Sequence, residues 1–184
     1  DVYKRQETVD ELKTLTGTGN AYTIVIAGGD ATGSTATEFT SINGKTTVAI
    51  DASAVTGLAS DNISNINTLL TAGNDTNQFT STSFGSLTGV TVSDTTLNGA
   101  TLASAIDQAN SATGDTSVVF TITAADEIQG TEANFTALLA DEGNSQISIT
   151  DQDINVNSGT LTVDNANLLG CLLYTSDAAD ERHC

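Results

Sequence analysis

Oxygen-bearing side chains at alternate positions are the clearest candidates for chemistry in this chain. In the stretch DQDINVNSG they are Asp151, Asp153, Asn155 and Asn157. On a β-strand these side chains share one face, because successive side chains point to opposite sides of a sheet. Their oxygens are ligands that Ca²⁺ prefers, although an EF-hand is excluded because Val156 and Thr162 stand where it needs glycine and a carboxylate. Two alternatives stay open: a solvated strand face, or a calcium site shared with a neighbouring turn.

Two turn regions add further candidate ligands. Asp30 lies in AGGDATGST, which is similar to the loops of calcium-binding nonapeptide repeats but lacks their G-G-x-G-x-D spacing. A turn in which Asp30 caps a nearby element is the alternative. Asp75 lies in AGNDTNQ at a predicted helix-to-strand corner, where Gly73 and Asn74 are expected to take left-handed backbone conformations. Calcium is the only cofactor indicated, and its predicted ligands are Asp151, Asp153, Asp30 and Asp75.

Residue types that usually carry catalysis are scarce. The single histidine and both cysteines lie in the range 171–184. Glu7 to Gly170 therefore has no Ser-His or Cys-His nucleophile pair and no zinc site of the ordinary kind. The paired acids Asp126–Glu127 and Asp141–Glu142 leave a fragment of a carbohydrate-active enzyme as a distant alternative. We predict that the chain is not an enzyme.

The charge of the chain restricts its partners. The 184 residues include 23 acidic and 5 basic side chains, for a formal net charge of −18. Such a surface repels phosphate backbones, so we expect no nucleic-acid partner. It fits either a solvated, salt-adapted surface or one that binds divalent cations. Apolar runs stay well short of the roughly 18 to 20 residues that a membrane span requires, so we expect no membrane insertion.

Degenerate repeats must position the candidate residues. Three segments each pass from a helix-like apolar pair through Gly-Asn into alternating residues: VDELKTLTGTGNAYTIVI, NINTLLTAGNDTNQFTST and NFTALLADEGNSQISITD. Thr8 with Glu11 and Thr35 with Glu38 have the spacing of capping boxes, which start helices. Apolar stripes at helical spacing are formed by Ile63, Ile66 and Leu70, by Leu102, Ala105, Ile106 and Ala109, and by Phe135, Leu138 and Leu139.

Short β-rich runs lie between these helices. They are YTIVI from Tyr22, TTVAIDA from Thr46, VTVSD from Val90, SVVFTIT from Ser117, QISIT from Gln146 and TLTV from Thr160. Strands that alternate with one-faced helices indicate parallel pairing through helical crossovers. We predict an α/β fold, an irregular repeat solenoid of short parallel strands alternating with short helices. The alternative is a β-solenoid or β-sandwich in which the helices are only short turns.

The two ends are interpreted separately from the middle. Codons for DVYKRQ, reverse-complemented and shifted in frame, encode CLLYTS, which are the residues 171–176. This inverted sequence resembles the transposase end used to tag sequencing libraries. We expect 1–6 and 171–184 to be adapter-derived and 7–170 to be one continuous domain, an internal fragment of a repeat array.

Three stretches resemble a known kind of protein: ELKTLTGTGNAYTIVI, INGKTTVAIDASAVTGLAS and LTVDNANLL. They are similar to degenerate repeats of very large surface or secreted proteins of bacteria, often marine. The resemblance implies an extracellular or cell-surface location, a structural or adhesive role, and calcium dependence. It implies neighbouring repeats of the same chain as partners, together with the cell surface or glycans. A calcium-responsive binding module is the alternative function.

Overall fold

Short strands and helices alternate along the chain. The structure is a computed structural model that describes residues 4–27, 33–149, 152–159, 162–164 and 166–167, without the side chains of 4–7. The helices are α1 (Val9–Leu12), α2 (Ala36–Asn43), α3 (Ile63–Gly73), α4 (Gly99–Thr113) and α5 (Glu132–Gly143). The strands are β1 (Lys4–Glu7), β2 (Thr23–Ile26), β3 (Gly57–Asp61), β4 (Gly89–Val92), β5 (Thr96–Asn98), β6 (Val119–Thr121), β7 (Glu127–Thr131) and β8 (Asp153–Ser158).

The named strands form three small parallel sheets. Their orders are β1-β2, β3-β4-β6 and β5-β7-β8, and each neighbouring pair is parallel. This confirms the prediction of an α/β fold with short parallel strands alternating with helices. The β-rich alternative is not observed, because α3, α4 and α5 have 11, 15 and 12 residues and are more than turns. Whether the whole forms a repeat solenoid stays a prediction.

Each of the helices α1 to α5 begins at a polar side chain that accepts a hydrogen bond from an N–H of the first turn. Thr8 and Thr35 form the predicted capping boxes, and Thr131 forms another with Asn134. Asn62 and Asn98 cap α3 and α4. These residues are 27, 27, 36 and 33 positions apart. We define a unit as the stretch from one cap to the next: unit 1 (8–34), unit 2 (35–61), unit 3 (62–97), unit 4 (98–130) and unit 5 (131–159).

One hydrophobic cluster runs through the units. It contains the predicted stripes of α3 and α4 and, from α5, Phe135 and Leu138, while Leu139 packs against it half-buried. The main helix–helix contacts join consecutive helices, from α1 with α2 to α4 with α5. Burying an apolar helix face contributes about 25 cal/mol per Å². Each helix therefore gains this stabilisation from its neighbours along the chain.

Several predicted strands differ in the structure. Thr46–Ala52 makes only isolated bridges, at Thr46, Ile50 and Asp51. Residues 146–149 are not a strand, and Val163 is helical where a strand from Thr160 was expected. Strands β3, β5 and β7 were missed. The backbone of β1 pairs with β2 from Lys4↔Thr23 to Glu7↔Ile26, a pairing that does not bear on the origin of residues 1–6.

In the part of the chain that the structure describes, no helix has the length and apolar character needed to cross a membrane.

Candidate functional site

The Asp75 side chain is hydrogen-bonded within its own turn. Its carboxylate accepts hydrogen bonds from the Gln78 side chain at 3.0 Å, from the Asn77 backbone N–H at 3.0 Å and from the Asn77 side chain at 2.9 Å. These bonds, that from Gln78 first, hold the pKa of Asp75 below its ordinary value. The carboxylate is thus engaged by local donors of the corner where the sequence placed it. A cation there would have to compete with them.

Asp153 opens β8 and has its side chain in solvent. Asn155 and Asn157 are exposed on the same face, while Ile154 and Val156 are half-buried on the other, as the alternation predicted. In the parallel pair β7-β8, Asp153 lies in register with Glu127, whose two carboxylate oxygens accept from Asn155 at 2.7 Å and Gln129 at 3.1 Å. These side-chain bonds, from Gln129 and then Asn155, lower the pKa of Glu127.

The structure does not bring the four predicted ligands together. Asp30 and Asp151 lie outside the described residues, and Asp75 and Asp153 are in units 3 and 5. Within the described ranges there is no group of three or more His, Cys, Asp or Glu side chains arranged to hold a metal ion. Calcium binding therefore stays a prediction.

Two aspartates that the sequence did not single out accept hydrogen bonds from N–H groups in the first turn of α2 and α3. Asp61, the last residue of β3, accepts from the Thr37 N–H and hydroxyl at 2.8 Å each, and from the Asn65 side chain at 2.9 Å. Asp94 accepts from the Ile63 N–H at 2.7 Å. Burial alone would raise the pKa of Asp61, but the bonds from Asn65 and Thr37 lower it. A carboxylate is favourable at a helix N-terminus because the unpaired N–H groups there are positive.

Amide pairs join the C-terminal parts of α2 and α4 to the following unit. The Asn43 side chain donates to Gln78 at 2.8 Å, and Asn110 and Gln146 exchange bonds of 2.6 and 3.3 Å. The backbone carbonyls of Gln78 and Gln146 accept from Ile50 and Phe120 respectively. The two glutamines therefore occupy equivalent places in units 3 and 5. Their shared role was not visible in the sequence, because each partner lies 35 or 36 residues away.

Lys13 joins units 1 and 2. Its ammonium contacts Asp10 and Glu38, each at 2.6 Å. Hydrogen bonds to Asp10 and Glu38 raise the pKa of Lys13 well above its usual value, and the bond from Lys13 lowers that of Glu38. Because Glu38 also caps α2, this contact ties α1 to the start of the next helix.

Asp141 on α5 is the acid with the opposite shift. Partial burial, and then the charge of Asp107 on α4, raise the pKa of Asp141 to about 6. Of the first acid pair considered for catalysis, Asp126 is exposed, and the Glu127 carboxylate accepts hydrogen bonds from Asn155 and Gln129.

Comparison with known proteins adds no relative. No family model matches the chain, and no curated protein or solved structure shows significant similarity to it.

Proposed function

We propose that this chain is a structural repeat segment of a large extracellular bacterial protein, with a spacer or adhesive role and no catalytic activity. One observation carries the proposal: long-range side-chain hydrogen bonds between units join residues 25 to 36 positions apart. Lys13 and Glu38 are separated by 25 positions, and Asn110 and Gln146 by 36. Polar side chains are used to stack each unit on the next, as in a solenoid. The proposed partners are neighbouring repeats, the cell surface and glycans.

Amide hydrogen exchange of the full chain tests the stacking. Gln146→Ala removes the amide pair with Asn110, and we expect protection to fall in α5, β6 and α4 while α1 and α2 change little. In a stack, stability is a sum of contacts between neighbours, so a local loss decays with distance. Gln108→Ala in α4, which removes the bond from the Asn74 side chain to Gln108 Oε1 at 2.9 Å, provides a second position. Uniform loss over all helices would contradict the proposal.

A calcium-responsive binding module is the second candidate, favoured by the Glu127–Asp153 register. Like charges directly opposite on neighbouring strands repel unless a cation lies between them. The test is thermal unfolding of the full chain followed by circular dichroism in millimolar calcium, in matched magnesium and in chelator. A calcium-specific rise in Tm, lost in Asp153→Asn, would support this candidate, because a ligand of the native state stabilises it. Identical unfolding curves in the three conditions would contradict the calcium-responsive candidate and leave the structural role as the remaining proposal.

A further inference from the structure

A cleft of about 720 Å³ opens beside β6. One wall is the stretch from Val119 to Thr123, and the other includes Ile147, Ser148 and Gln152. Strand β6 is the outer strand of the sheet β3-β4-β6. Outer strands present backbone groups that another strand can pair with.

The equivalent place in unit 2 shows what normally fills this position. The Ile50 N–H donates to the Gln78 carbonyl at 3.0 Å, and the Ile50 carbonyl accepts from the Thr80 N–H at 2.8 Å. The next outward group, the Ala52 N–H, donates to the Ser83 hydroxyl at 2.9 Å. Unit 3 thus supplies a continuous row of partners for the outer edge of unit 2.

Unit 4 repeats this edge, but the described residues of unit 5 supply only its first partner. The Phe120 N–H donates to the Gln146 carbonyl at 2.7 Å, as Ile50 does to Gln78. The turn that follows is the same, since Val55 donates to Ala52 and Ala125 donates to Ile122.

The next two outward groups of this edge open into the cleft. The Val119 N–H donates to Thr88 on the β4 side, so by alternation the Phe120 carbonyl and the Ile122 N–H face the other way. Both residues line the cleft, and within the described residues these two groups have no backbone partner.

Three polar side chains that line the cleft offer hydrogen-bond acceptors. Asp126 and Glu142 line it with two carboxylates. Gln152 also lines it, is 5% exposed, and its buried Oε1 has no hydrogen-bond partner. A buried acceptor without a donor is costly. Val119, 46% exposed, adds an apolar contact at the mouth.

We propose that this cleft binds an extended, lysine- or arginine-bearing strand of a partner polypeptide, which pairs with the backbone of β6. The partner's N–H and C=O groups satisfy Phe120 and Ile122, and its cationic side chains reach Asp126 and Glu142. A second copy of this chain is a poor occupant, because its net charge of −18 opposes association. This interaction surface does not depend on the stacking role proposed above.

The probe is an acetylated, amidated hexapeptide of alternating valine and lysine. It is titrated to about 1 mM into the full, ¹⁵N-labelled chain and followed by NMR, because a short strand forms a small and therefore weak interface. We expect saturable shifts at Val119–Thr123 and slower exchange of the Ile122 amide. Two comparison peptides carry glutamate in place of lysine, or N-methyl groups on the pairing edge. Absence of saturable shifts, or equal binding of either comparison peptide, would overturn the proposal.

Two double variants test whether the peptide binds to the cleft or is attracted only by the overall negative charge of the chain. The double variant Asp126→Asn, Glu142→Gln should weaken peptide binding about tenfold, the effect of two ion pairs at the edge of an interface. The matched double variant Asp10→Asn, Asp164→Asn removes two exposed carboxylates that do not line the cleft and should change binding less than about twofold. Far-UV circular dichroism confirms that both fold. Equal weakening in the two variants would show that only the overall charge attracts the peptide.

Discussion

At the scale of single residues, the Ser83 hydroxyl forms hydrogen bonds with the backbone of unit 2 that a paired strand would otherwise form. It is 2% exposed, accepts from the Ala52 N–H at 2.9 Å and donates to the Ile50 carbonyl at 3.0 Å. A buried backbone N–H is costly without a partner, and this hydroxyl supplies one where the ladder between units 2 and 3 is interrupted. Side-chain chemistry thus replaces backbone pairing at this point.

Ser83→Ala should lower the free energy of unfolding by about 1–3 kcal/mol, because it leaves the buried Ala52 N–H without an acceptor. Urea unfolding measures the change as a lower midpoint at an unchanged slope. The control is Ser86→Ala at an exposed position of the same turn, which should stay within about 0.5 kcal/mol. If both variants had the same midpoint, the hydroxyl would not carry this role.

At the scale of elements, two helices end in glycine for different reasons. Gly73 and Asn74 do not have the left-handed backbone expected at their corner, since φ of Asn74 is −86°; Gly143 is not left-handed either, and φ of Asn144 is −85°. A Cβ on Gly73 would lie 2.7 Å from the ring of Phe84, whereas one on Gly143 would meet nothing within 4 Å. Gly73 therefore permits close packing against an aromatic residue that is itself fully buried.

Gly73→Ala should destabilise the chain by about 1–3 kcal/mol, because the Phe84 ring is held by Phe39 and Phe79 at centroid distances of 5.9 and 5.2 Å and has little room to move. Gly143→Ala should be neutral or stabilising by up to about 1 kcal/mol, since alanine favours helix and meets no clash. Thermal unfolding of the two variants gives the comparison. A similar Tm for both would contradict the packing argument.

What the sequence predicted well was local. The capping boxes at Thr8 and Thr35 and the apolar stripe of α4 depend on residues within two turns of each other. Strand β3, GLASD, was missed because its sequence has little strand preference and its pairing is set by β4. Asp61 and Asp94 were missed as capping residues because their partners lie 24 and 31 positions away.

At the scale of the whole molecule, an excess of carboxylates makes stability depend on pH. Several, including Asp61, Glu38 and Asp75, have pKa values lowered by hydrogen bonds, so their contribution to stability is lost as pH falls below about 4. Asp141 has a raised pKa, so its unfavourable ionisation in the native state appears as pH rises from about 4 to about 6. The free energy of unfolding should therefore be largest near pH 5.

Asp141→Asn should stabilise the chain above pH 6 by about 1 kcal/mol, a value reduced because the carboxyl is only partly buried and partly screened by water. At pH 3 the variant and the natural chain should be nearly equally stable, because Asp141 is then mostly protonated in both the folded and the unfolded state. Denaturant unfolding across pH 3–8 gives both values. A stabilisation that did not change with pH would contradict the raised pKa.

The uneven joints between units have a mechanical consequence. Units 1 and 2 are joined by isolated bridges at Asn20–Thr46 and Val25–Asp51, by the contact of Lys13 with Glu38 and by the four-residue helix α1. The pair β7-β8, in contrast, joins units 4 and 5 over five residues. Tension applied to the two ends loads the joints in series, so the sparsest one yields first. Its rupture would release about 27 residues, roughly 90 Å of slack, while the later units stayed folded. The chain would then lengthen in steps under load, one unit at a time.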